Sequence, residues 1–68
     1  MHELPTPIRI TTKRFELQGI PVGTIGELTH IYAEDQWELC FENEHGITYA
    51  IILAESNDFV RIMPFEAD

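Results

Sequence analysis

Apolar and polar residues alternate most strictly over Gln36-Trp37-Glu38-Leu39-Cys40-Phe41-Glu42. Period two places Trp37, Leu39 and Phe41 on one side and Glu38, Cys40 and Glu42 on the other. That pattern predicts a β-strand with one face in a core and one in water. Ile8-Arg9-Ile10-Thr11-Thr12 alternates as well and predicts a first strand, Ile8 and Ile10 inward. A second strand is expected over Glu27-Leu28-Thr29-His30-Ile31-Tyr32. Leu28 and Ile31 are three apart, so both face the core only if a β-bulge falls near Thr29-His30. Ile47 to Leu53 reads as the fourth strand, with Tyr49, Ile51 and Leu53 on one side and Ala50 and Ile52 on the other. It is either covered on both faces or offers one as a contact surface. Asp58-Phe59-Val60-Arg61-Ile62 reads as a short last strand, with room for a single 3₁₀ turn at Glu55-Ser56-Asn57 before it.

Turn chemistry separates these runs. Lys13 to Pro21 has no clean period and reads as a long loop. Gly23 and Gly26 at the entrance of the second strand predict a positive-φ turn, then a close backbone approach at a bend. A phosphate cradle fits poorly there, because a third glycine, a Lys-Ser/Thr pair and a helix are all missing. Ala33-Glu34-Asp35-Gln36 is a short hairpin connection, and Glu42-Asn43-Glu44-His45-Gly46 is another, with Gly46 as its positive-φ residue. No segment carries a helical stripe. The expected fold is all-β: a small five-stranded SH3-like barrel whose closure protects edges that an open sheet would leave sticky. It forms one domain over 1–68, with an ordered core of about 7–63 and flexible tails, Phe65 either folded back or left for a partner.

Size and charge sharpen this picture. A chain of 68 residues buries only about 60% of the surface that its unfolded form exposes, so its core is thin. Its lone cysteine, Cys40, excludes an internal disulfide, and no Cys or His cluster suggests zinc. A free thiol fits a reducing cytoplasm. Met1-His2-Glu3-Leu4-Pro5 has neither the basic cluster nor the apolar run of a signal peptide. The longest apolar run, Tyr49 to Ala54, falls far short of the roughly 20 residues that span a bilayer. Net charge is −8. Residues 1–33 balance Arg9, Lys13 and Arg14 against Glu3, Glu16 and Glu27, so the whole excess lies beyond residue 33, where Arg61 is the only cation. Such a field repels nucleic acid and acidic membranes and attracts a basic partner; its plainer meaning is solubility.

The runs Gly23-x-x-Gly26-x-Leu28-x-x-Ile31-Tyr32, Trp37-Glu38-Leu39-x-Phe41-Glu42 and Gly46-x-Thr48-x-Ala50 resemble a family of very small bacterial SH3-like barrel proteins of unknown function. The family pattern is G-x-x-G-x-V-V-x-x-Y, then Y-x-V-E-F, then a G-x-T-x-A strand, and the likeness covers roughly residues 7–62. This chain departs from it at Leu39-Cys40-Phe41, where the family usually has V-E-F. The resemblance implies a stand-alone barrel without catalytic residues. Some genes of that family lie beside toxin-like genes, which implies an antitoxin or immunity role. It brings no functional residue with it.

Glu38, Glu42 and Glu44 are abundant carboxylates on an exposed face, where water keeps them ionised; acid–base catalysis needs a converging pair with split pKa values. Cys40 sits between glutamates, which disfavour a thiolate, and Ser56 is the only serine. His2, His30 and His45 fall in a tail, a strand and a turn, and only His45 beside Glu44 offers weak metal binding. Trp37 carries about 150–250 Å² of buriable surface and is either core or an interface anchor. The expectation is thus a non-enzymatic acidic protein without cofactor or metal, docking on a basic protein such as a toxin or nuclease. Its candidate contact residues are Tyr32, Glu34, Asp35, Glu38, Glu42, Glu44 and Tyr49. The alternative is a structural accessory or self-assembling module, a homodimer built through strand four.

Overall fold

The structure is a computed structural model that describes residues 4–62; His2, Phe65, the acidic end Glu66-Ala67-Asp68 and most of the expected tails lie outside these. Five strands run β1 (Thr6–Ile10), β2 (Ile25–Ala33), β3 (Gln36–Glu42), β4 (Thr48–Ala54) and β5 (Phe59–Arg61). Two 3₁₀ turns, Glu16–Gln18 and Ser56–Asp58, precede β2 and β5. All pairings are antiparallel, in one sheet of order β4-β3-β2-β1-β5. The protein is all-β.

Period two decides what each strand buries. Ile8 and Ile10 of β1, Leu28 of β2, and Leu39 and Phe41 of β3 have no exposed surface, and Ile52 and Ala54 of β4 join them. The expected bulge is present. Leu28 faces Leu39 while His30 faces Glu38, so Thr29 is the extra residue, and a second shift makes Tyr32 extra between Ile31 and Ala33. Those shifts let Ile31 pack against the core although it stands three residues from Leu28. Gly23 and Gly46 both have positive φ, at 95° and 77°, as their turns require. Gly26 serves the close approach: a Cβ there would lie 2.8 Å from the Cys40 carbonyl oxygen and inside van der Waals reach of the Phe41 ring.

Several boundaries differ from expectation. β1 starts at Thr6 and ends at Ile10, two residues ahead of the predicted run, because Pro7 costs the ladder nothing at the start of a strand. Its carbonyl accepts from the Ile62 amide at 3.0 Å. The long loop is more than a connection: Phe15 and Ile20 are both buried in the core. Asp58 belongs to the second 3₁₀ turn rather than to β5. The expected SH3-like closure is not seen, because no ladder joins β4 to β5 among the described residues. The sheet curls but stays open. Trp37 on β3 and Phe59 on β5 meet edge to face, ring centroids 5.8 Å apart, although β2 and β1 lie between their strands.

Candidate functional site

The outer face of the sheet is built on the polar half of the β3 alternation. Glu38, Cys40 and Glu42 point away from the core; across the ladder Glu38 faces His30 on β2 and Leu53 on β4, and Cys40 faces Glu27 and Ile51. Because Tyr32 is the extra residue of a bulge, its side chain reaches back along β3. Its hydroxyl donates to Glu38 Oε1 at 2.6 Å, and its ring lies 4.3 Å from that of His30. Giving up a proton beside the carboxylate is unfavourable, so the Tyr32 phenol is held above its ordinary pKa, the hydrogen bond to Glu38 being the main cause. The Cys40 thiol lies 3.9 Å from Glu38 Oε2 and 3.4 Å from Thr29 Oγ1. Glu38 is therefore a fixed, half-buried carboxylate rather than a loosely solvated one.

Beside it runs a shallow groove of about 370 Å³, lined by Tyr32, Gln36, Glu38, Ile51, Ile52 and Leu53. Its apolar wall is the outer side of β4. Tyr49, Ile51 and Leu53 are exposed by about half or more, whereas Ile52 and Ala54 on the other side are buried. The choice left open for strand four is thus resolved in favour of one uncovered apolar face. Trp37 is resolved too: it lies half-buried on the core side, with the Arg61 guanidinium 5.4 Å from its ring centroid.

The predicted contact residues do not all converge. Tyr32 and Glu38 are in contact, and Tyr49 lies on β4 at a register shift, with Glu42 opposite Thr48. Glu34 is exposed in the β2–β3 turn. Glu44, in the β3–β4 turn, is exposed beside His45, carboxylate to imidazole 3.7 Å. Asp35 points elsewhere. It has φ 64° in the turn, a region Asp tolerates better than most residues, and its Oδ1 accepts the Ser56 amide at 2.7 Å. Bonding to Ser56 is the first cause that holds its carboxyl below the ordinary range. Gln36, Ile51, Ile52 and Leu53 complete the groove beyond the predicted contact residues; the alternation along β4 points to the three on that strand, and nothing in the sequence points to Gln36.

Charge divides by strand. β3 and the turns at its two ends carry Glu34, Asp35, Glu38, Glu42 and Glu44 with no lysine or arginine, while all four basic residues lie on β1, the loop after it and β5. Arg14 among them grips Asp58 through Nη2 to Oδ2 at 2.6 Å and Nε to Oδ1 at 3.2 Å. Asp58 also accepts the Glu55 amide at 2.9 Å. The bond from Arg14 is the leading cause that keeps the Asp58 carboxyl below its usual range. Among the described residues no group of three His, Cys, Asp or Glu side chains is arranged to hold a metal ion, and no helix is long and apolar enough to cross a membrane. Against models of known protein families, curated proteins and solved structures, the chain finds no match.

Proposed function

We propose that this chain is a non-enzymatic binding protein that docks on a basic protein partner. Its most concrete form is an immunity or antitoxin-type inhibitor of a basic toxin such as a nuclease, acting in the reducing cytoplasm. The observation that carries the reading is the concentration of Glu34, Asp35, Glu38, Glu42 and Glu44 on β3 and its turns, with every lysine and arginine on β1, the loop after it or β5. Complementary charge speeds encounter and suppresses wrong partners, and an anionic surface competes for a site built to hold phosphates. An SH3-like scaffold accompanies this proposal, supported by the strand order and the 3₁₀ turn before β5.

The test is capture from lysate of the source cell, with the tagged protein as bait, at low salt and at about 0.5 M salt, where exposed charges are screened within a few ångströms. The expected result is one basic protein, held at low salt and weakened at high salt. Replacing Glu38, Glu42 and Glu44 by glutamine without loss of that capture would refute the acidic docking face. A second reading rests on the uncovered apolar side of β4: a self-assembling module or accessory subunit. Capture of nothing but its own copies selects it and returns the charge to solubility.

A further inference from the structure

The two edges of the sheet are guarded very differently. β5 has three residues and carries Arg61; a short, charged edge is a poor template for another strand. β4 has seven residues, Thr48–Ala54, without a charge, a proline or a glycine. Among the described residues no strand pairs with its outer side. Ile51 and Leu53 are 61% and 58% exposed along it. Resting on the basic-partner reading above, we infer that the β4 edge takes an extended basic segment of the partner as a sixth strand, its apolar residues inward and its cations outward.

The alternation of the incoming segment follows from the alternation of β4. Residues turned inward meet Ala50, Ile52 and Ala54 and extend the core. Residues turned outward lie beside Ile51 and Leu53. A lysine or arginine there rests its stem on Leu53 and carries its charge towards Glu38, about 10 Å, or two strand spacings, away. Glu38 is already held in place by the Tyr32 hydroxyl, so little ordering is left for binding to supply. A second copy is the weaker occupant. Pairing β4 with β4 would bring together two molecules that each carry a net charge of −8, with no cation on β4 or β3 of either to offset the other.

The probe is the acetylated, amidated hexapeptide (Lys-Val)₃, titrated at low salt while amide shifts and hydrogen exchange are followed. It is compared with its fully N-methylated counterpart, which keeps the charge and side chains but cannot donate to a ladder, and with neutral (Thr-Val)₃. Binding of (Lys-Val)₃ is expected to slow exchange of the β4 amides that face away from β3. The N-methylated peptide is expected to bind at least about tenfold more weakly. Ile51→Lys, at an exposed position and with its fold checked by its unfolding curve, is expected to lose binding to a similar degree. Equal binding of the methylated and plain peptides overturns strand addition and leaves the basic-partner reading standing. Equal binding of the neutral peptide with β4 protected overturns the charge argument, and with it that reading. Protection of β4 in the free protein overturns the inference too, assigning the edge to a second copy if it depends on concentration and to the chain itself if it does not.

Discussion

Gly26 shows how a single missing Cβ lets two strands settle against each other. The Phe41 ring lies across β2 where any side chain at residue 26 would stand, and the Cys40 carbonyl closes the other side. Gly26→Ala therefore has no room to relax, and a loss of about 1–3 kcal/mol in urea unfolding, the range of an overpacked core, is expected. Glycine spacing makes this close approach readable from the chain. Nothing local announces the Arg14–Asp58 pair, which is separated by 44 positions, since ion pairs of that span are chosen by the fold. Asp58 is buried, and Asp58→Asn is expected to cost about 1–3 kcal/mol at pH 7 by leaving Arg14 and the turn poorly satisfied. The carboxyls of Asp58 and Asp35 are both lowered on folding. Their stabilisation is complete above the unfolded value of about 4 and fades as pH falls through the folded values. The urea midpoint of the native chain should thus decline below about pH 4, and that of Asp58→Asn less steeply. Tyr32 offers a spectroscopic check: Glu38→Gln is expected to bring its phenolate absorbance in at lower pH than in the native chain.

Among the elements, the strands were legible because burial follows their alternation. β3 needed only its own seven residues, and the bulge in β2 followed from the odd spacing of Leu28 and Ile31. The loop after β1 defeated the same reasoning. Its buried residues, Phe15 and Ile20, obey no period because the 3₁₀ turn between them and Gly19 at φ 85° reverse the chain and return both side chains to one core. The loop accordingly behaves as a core element at two positions and as solvent-facing chain between them. Ile20→Ala is expected to destabilise the protein by about 2–5 kcal/mol. Leu17→Ala, in the same loop but fully exposed, should stay within about 0.5 kcal/mol; equal losses at both positions would mean that the loop does not seal the core. Half of the candidate site was legible on the same terms. Glu38 and Glu42 came from the alternation of β3, but the partnership of Tyr32 with Glu38 depends on a bulge that shifts Tyr32 out of step. Nothing in the sequence announces the bond between Asp35 and Ser56, because it joins two turns that only the folded sheet brings together.

For the whole molecule, the sheet falls short of the barrel that turn spacing and strand count suggested. Closure depends on how far β4 and β5 extend past each other, which no residue pattern encodes directly. The curl is nonetheless enough to bring Phe59 onto Trp37, so the two ends of the sheet share a core without sharing a ladder. The segregation of charge by strand carries a consequence of its own. Among the described residues, the carboxylates of β3 and its turns stand apart from the cations of β1, the loop after it and β5, which gives the charge a direction as well as a sum of −8. Net charge sets only how strongly a cationic body is drawn in; a dipole also exerts a torque. On the proposed reading, a cationic partner would turn β3 and its neighbour β4 towards it before any atoms meet, so that the same side would lead in encounter after encounter.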